Sequence, residues 1–109
     1  MKPRQKNIAN QLLQGNLPVV FFQEGNSIVA YTPALHLSTC GKSREEAEKR
    51  FNEAVRLFFE ELAKMGTLEQ VLEENGWRKL TKPVLHWDPP QIVGYVNQPL
   101  DQLLSASGK

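Results

Sequence analysis

Residues 30–47 read Ala30-Tyr31-Thr32-Pro33-Ala34-Leu35-His36-Leu37-Ser38-Thr39-Cys40-Gly41-Lys42-Ser43-Arg44-Glu45-Glu46-Ala47, and a long amphipathic run follows. That run closes on Gly66-Thr67-Leu68-Glu69-Gln70-Val71-Leu72-Glu73-Glu74-Asn75-Gly76-Trp77. Pro33 breaks one strand. Leu35 to Cys40 then alternates, with Leu35, Leu37 and Thr39 on one face and His36, Ser38 and Cys40 on the other, which predicts a second strand. Gly41-Lys42 ends it. Ser43 with Glu46 three residues later spells a capping box, each side chain satisfying a backbone N–H that the helix leaves unpaired. Ala47, Phe51, Ala54, Val55, Phe58, Leu62 and Met65 then fall within one helical stripe about 80° wide, with Phe58 near its middle. Gly66 supplies a left-handed cap. Thr67 with Gln70 repeats the capping pattern ahead of Leu68, Val71 and Leu72, a short second helix ending at Asn75-Gly76.

Upstream, Leu17 to Gln23 carries Val19, Val20, Phe21 and Phe22 and reads as a strand. Glu24-Gly25-Asn26 supplies turn chemistry, and Ser27 to Thr32 returns with Ile28, Val29, Ala30 and Tyr31. With the strand at Leu35 to Cys40 this makes a three-stranded antiparallel sheet. Trp77 to Leu80 adds a fourth short strand, all packed on the long helix, so the fold class is α+β. The chain divides into a basic N-terminal segment (1–16), a central domain (17–80) and a Pro-rich C-terminal tail (81–109). Ile8, Leu12 and Leu13 indicate one weak helix stopping at Gly15. In the tail, Ile92 to Val96 reads as a strand, and Leu100, Leu103 and Leu104 as one closing helical turn.

Both faces of the hairpin are apolar. Val19, Phe21, Ile28 and Ala30 alternate with Val20, Phe22, Val29 and Tyr31, and one helix covers one face only. The other face, with Val20, Phe22, Val29 and Tyr31, is expected to meet the tail, a second subunit or a partner protein, because apolar area left in water costs about 25 cal/mol per Å². Leu57 and Phe59 lie off the helix stripe. Phe59, costlier to expose, belongs either to the margin of the core or to an interface.

The 109 residues make one domain, 40% hydrophobic and 23% charged. No stretch approaches the ~18 apolar residues of a membrane span. The start, Met1-Lys2-Pro3-Arg4-Gln5-Lys6, is basic without an apolar signal core, and Cys40 is the single cysteine, so a cytoplasmic protein is expected. The net charge of +1 conceals a difference along the chain: residues 44–76 carry nine acidic against five basic side chains. These are interspersed at i,i+4 spacing, as on a solvated helix face. No concentrated basic stripe exists outside the N-terminal segment, which argues against a nucleic-acid footprint.

Candidate chemistry is sparse. His36 and His86 lack companions at metal-ligand spacing, where zinc needs three or four ligands. Cys40 has no evident base and reads as a small residue closing a strand. Ser43 and Thr67 are explained by capping, and no phosphate-binding glycine loop exists. Trp77, Trp87 and Tyr95 are able to stack on bases, yet without flanking Lys or Arg runs they read as core or interface. No catalytic, metal or cofactor site is expected, and the chain reads as a binding module rather than an enzyme.

From Val19 to Trp77 the sequence resembles the HicB-like antitoxin family, specifically short members without an appended DNA-binding domain. The matching residues are Ala30-Tyr31, Pro33 and Leu35; Gly41, Ser43 and Glu45-Glu46-Ala47; Asn52-Glu53-Ala54-Val55; Phe59-Glu60-Glu61; Gly66-Thr67-Leu68-Glu69, Val71-Leu72 and Gly76-Trp77. The resemblance implies a partial ribonuclease H-like fold without nuclease activity, since the first strand offers Val19-Val20-Phe21-Phe22 where a metal-binding carboxylate would begin the site. It implies a partner, a HicA-like toxin that cleaves messenger RNA, neutralised by steric occlusion. Many relatives carry an acid where this chain has Ala34 and His36. Only thirteen residues follow Val96, too few for a ribbon-helix-helix unit, so DNA binding is not expected. The rival readings are a homo-oligomeric regulatory or structural relative without a toxin, and a nucleic-acid-binding regulator. Under the first reading too, a homo-oligomer is expected, with Val20, Phe22, Val29, Tyr31 and Phe59 as partner or oligomer contacts.

Overall fold

A computed structural model describes residues 13–107. Three strands, β1 (Val20–Glu24), β2 (Ser27–Thr32) and β3 (Leu37–Gly41), form an antiparallel sheet in sequence order. Register pairs Phe22 with Val29 and Ala30 with Thr39. Helix α1 (Arg44–Met65) crosses β2 and β3, and α2 (Leu68–Glu74) follows it. Strands β4 (Arg78–Leu80) and β5 (His86–Asp88) pair with each other, and α3 (Leu100–Ser107) ends the described chain. The architecture is α+β.

The turn between β1 and β2 works because Gly25 takes φ 60°, which glycine adopts without steric cost. β1 starts at Val20 rather than Leu17. Pro18 has no N–H to give a ladder, and Leu17 and Val19 turn inward against the core. β3 starts at Leu37 rather than Leu35, because His36 sits at φ 54° and bends the chain ahead of it. Leu35 is buried in the turn, and beyond it the expected alternation holds, with Leu37 and Thr39 half-buried and Ser38 and Cys40 exposed.

Only two residues separate β3 from α1, so strand and helix start are pressed together. A Cβ at Gly41 would stand 2.7 Å from the Ala47 nitrogen and 2.9 Å from Glu46 Cβ. Ser43 caps the helix by accepting the Glu46 N–H at 3.1 Å, as expected. The reciprocal bond differs: Glu46 Oε1 accepts the N–H of Lys42, not of Ser43, at 2.7 Å. Arg50 completes this corner by reaching Glu46 Oε2 and the Cys40 carbonyl. At the other end Gly66 takes φ 73° and donates back to Ala63 and Leu62, a left-handed cap. The second capping pattern does not form. Thr67 is at ψ 11° and its hydroxyl makes no cap bond, while Gln70 bonds Glu74 instead.

Two packed clusters make the core. One joins Ala30, Ala47 and Phe51 with Leu17, Val19, Phe21, Ile28 and Val55, filling the helix side of the sheet. The other gathers Ala34, Leu35, Leu62, Leu68, Leu72, Trp77 and Trp87 at the far end of α1. The helix stripe is buried where the spacing predicts, from Ala47 through Phe51, Ala54, Val55 and Phe58 to Leu62, but unevenly. Phe51 is its buried centre at 2% exposure, Phe58 is half-buried and Met65 is exposed.

The fourth strand does not join the main sheet. Trp77 is buried ahead of it and donates Nε1–H to the Ala34 carbonyl at 2.8 Å, fastening this part of the chain to the loop after β2. β4 consequently runs away from the sheet edges and pairs with β5. The ribbon is tied back by Gln14, whose N–H reaches the Trp87 carbonyl, and by the bridge of Leu13 to Trp87. Leu13 is thus bridged rather than helical. The remainder of the expected N-terminal helix, with Ile8 and Leu12, lies outside the described residues.

After Pro90 the chain leaves the body. Every position from Gln91 to Ser105 is exposed. Ile92 to Val96 is not a strand, for it finds no partner strand among the described residues and Gly94 interrupts it. The expected closing turn extends to the eight residues of α3. The molecule measures 59 × 33 × 23 Å, with a radius of gyration of 17.4 Å against about 13 Å for a compact chain of this length.

Candidate protein-docking site

Because side chains alternate along a strand, the register that sends Phe21, Ile28, Ala30 and Thr39 toward α1 sends Val20, Phe22, Val29, Tyr31, Ser38 and Cys40 outward. Val20, Val29 and Tyr31 are half-buried, and Phe22 is 53% exposed. The Phe22 and Tyr31 rings lie across neighbouring strands at 6.4 Å between centroids, tilted by 47°. The Tyr31 hydroxyl lies 3.2 Å from His36 Nδ1, which orients the phenol along the face. One charged side chain shares this face, Glu24 at the end of β1, exposed and paired with Ser27 in the register; none stands among Val20, Phe22, Val29, Tyr31, Ser38 and Cys40. The exposed side of α1 is different: Glu45, Glu48, Lys49, Glu53, Arg56, Glu60 and Lys64 line it, two of them joined in the Arg56–Glu60 pair. An apolar partner thus has the outer sheet face to dock on, and water has the helix.

The five residues expected at an interface divide in two. Val20, Phe22, Val29 and Tyr31 are brought together on one surface. Phe59 is apart from them: it packs edge-on against Trp77 at 6.1 Å and against Phe58 at 5.9 Å, a position at the core margin. Leu57, also off the stripe, is 53% exposed. Phe59 also lines a shallow apolar cleft of about 160 Å³ with Leu13, Leu17, Val55, Trp77 and Pro89.

The titratable candidates are dispersed. His36 is engaged with Tyr31, whereas His86 is buried in β5, with Nδ1 2.8 Å from the Val84 carbonyl and Nε2 3.7 Å from Asp88. Among the described residues no three His, Cys, Asp or Glu side chains converge as metal ligands. Cys40 is exposed on the outer face. Trp77 and Trp87 are core residues, with Lys79 over the Trp87 ring at 5.8 Å; Tyr95 is 87% exposed. Glu46 is held below the ordinary glutamate value of 4.5, chiefly by the Lys42 N–H and then by the Arg50 charge. It serves the corner between β3 and α1 rather than any site.

The C-terminal arm, which the sequence offered as one cover for the outer face, is instead a second exposed apolar surface. Val93 is 101% exposed, and Tyr95, Val96, Leu100 and Leu103 are exposed beside it. The signal for it was present: residues 91–107 hold a single charged side chain, Asp101. Among the described residues no helix is long and apolar enough to cross a membrane. Comparison with family models, curated proteins and solved structures gave no match.

Proposed function

We propose that this chain is an antitoxin-like protein-binding module, not an enzyme, which neutralises a HicA-type messenger-RNA-cleaving toxin by steric occlusion. The observation that carries the reading is the apolar outer sheet face, charged only at Glu24 on its rim, with Phe22 bared on a domain whose opposite face is filled by α1. Exposed aromatics are usual anchors of a protein interface, and Phe22 on edge strand β1 stands beside Tyr31 of the central strand. The order of three antiparallel strands followed by a long helix supports a partial ribonuclease H-like body of the HicB kind, acting in the cytoplasm. Occlusion needs no catalytic group from this chain. It needs a rigid surface, which the two core clusters and the Trp77–Ala34 bond supply.

The test is direct. The full chain and a HicA-type toxin encoded beside it are co-purified, and cleavage of a messenger RNA by the toxin is followed with and without the chain. A stable complex and suppressed cleavage are expected, both weakened by Phe22→Glu. Absence of a complex at micromolar concentration, with cleavage unchanged, sinks the reading.

A further inference from the structure

The outer sheet face and the C-terminal arm are both apolar, each with one carboxylate, Glu24 at the end of β1 and Asp101, and each carries exposed large side chains in the single chain. We propose that each supplies the other's cover between two copies: the arm of one protomer, residues 91–107, lies on the outer face of a second, and the second returns its arm in a reciprocal exchange. The inference rests on the reading of that face as a protein-docking surface; the arm covers it in the free protein, and a toxin docking there displaces the arm.

The arm itself argues for a docking partner. Isolated helices shorter than ~12–15 residues are marginal in water. Yet α3 has eight residues, and its Leu100 and Leu103 are exposed by 71% and 49%, so its own body lends it little burial. Its first turn is set by local bonds, with Asp101 Oδ1 accepting the Gln102 N–H and Leu103 N–H reaching the Pro99 carbonyl. These give the helix a shape to present.

The choice of surface follows from charge. Docking an arm of this composition on the outer side of α1 would desolvate Glu45, Glu48, Lys49 and Glu53 without partners. The outer sheet face carries one carboxylate, Glu24 at the end of β1, so the cost there is smaller.

Area is sufficient. Exposed side chains of this size bring on the order of 100 Å² of apolar surface each. Ile92, Val93, Tyr95, Val96, Leu100 and Leu103 on two arms bring roughly 1,200 Å², before the faces they cover are counted, which reaches the ~1,200–2,000 Å² of a stable interface. Reciprocal exchange also closes with two-fold symmetry, leaving neither arm bare.

The single cysteine provides the test. Cys40 pairs with Val29 in the register and faces outward with it. A photoreactive maleimide attached to Cys40 of the full chain is activated in an equal mixture of nitrogen-14- and nitrogen-15-labelled protein, and cross-linked peptides are identified by mass. Light scattering on unlabelled protein gives the mass in solution. We expect a particle of twice 12.4 kDa and mixed-isotope cross-links from Cys40 to residues 92–104. The Val96→Asp, Leu100→Asp double variant should raise the dimer dissociation constant by at least about tenfold. Cross-links confined to one isotope would mean that the arm folds back on its own sheet, and would overturn the exchange. So would Cys40 cross-links to a second sheet face, or a monomer at high micromolar concentration. Because no toxin is present in these measurements, their failure leaves the toxin experiment standing, and the converse holds.

Discussion

At the scale of single residues, Glu46 and Thr67 belong to the same capping pattern at two helix starts, Glu46 as the partner of Ser43 and Thr67 as the capping residue ahead of Gln70, and they have opposite fates. Glu46 accepts the Lys42 N–H and the Arg50 guanidinium, and both favour its charged form. A carboxyl whose value is lower in the folded state stabilises the fold fully above its unfolded value, and that contribution is lost as pH falls through the folded value. Glu46→Gln should therefore lower the melting temperature at neutral pH, with the gap to wild type closing below pH 4.5, the ordinary glutamate value. Thermal melts of both proteins across that range check it; a gap independent of pH would remove the charge from the account. Thr67, by contrast, has a buried hydroxyl without a hydrogen-bond partner. Thr67→Val removes an unsatisfied polar atom at nearly constant shape, so stability should hold or rise by up to about 1 kcal/mol. Chemical denaturation showing a loss of that size would mean that the hydroxyl has found a partner in solution. Both residues carry the same sequence signature. The local pattern tells which side chains are able to cap, but the backbone conformation of the entering loop decides whether they do.

At the scale of elements, the long helix and its neighbours were legible because their signals are local. Ser43, Gly66 and the apolar spacing of α1 set its limits at Arg44 and Met65 without reference to anything distant. How deeply each residue of the stripe is buried was not legible, since it depends on which strands the helix crosses. Phe51 lies over the Ala30 and Ala47 cluster, whereas Phe58 sits at the edge of the second cluster, half-buried. Phe51→Ala should therefore cost about 3–5 kcal/mol. Phe58→Ala should cost about 1–2 kcal/mol, in keeping with partial burial. Urea unfolding of the two variants side by side decides, and equal losses would return Phe58 to the centre of the core. β4 was misplaced for a related reason. Its pairing is with β5 through a connection that contains a cis peptide at Lys82–Pro83, and Trp77 anchors it across 43 residues. Nothing in a window of local sequence announces a contact at that separation.

At the scale of the whole molecule, a compact body ends near Pro90 and a nearly uncharged arm follows. Val20, Phe22, Val29 and Tyr31 were found from alternation alone, because a hairpin apolar on both faces has one face too many for one helix. The exposure of the arm was not legible, because Ile92 to Val96 and Leu100 to Leu104 read as a strand and a closing turn able to cover that face, and only the folded chain shows how little of the arm is buried. Substitutions at Val93 or Tyr95, exposed by 101% and 87%, should accordingly change the unfolding free energy of the monomer by less than about 0.5 kcal/mol. Denaturation at low protein concentration tests this for Val93→Asp; a larger loss would mean that the arm belongs to the body.

The distribution of the two core clusters along the chain also bears on synthesis. The cluster around Ala30, Ala47 and Phe51 draws on residues between Leu17 and Val55 alone, whereas the other waits for Trp77 and Trp87. On a ribosome, where the N-terminal part of a chain is free to fold first, the sheet is therefore able to close on α1 while the second half is still being made. The ribbon of β4 and β5 then seals the far end. The arm follows these segments out of the ribosome and meets a body already able to form, so the concentration of neighbouring chains sets how often it finds a second copy.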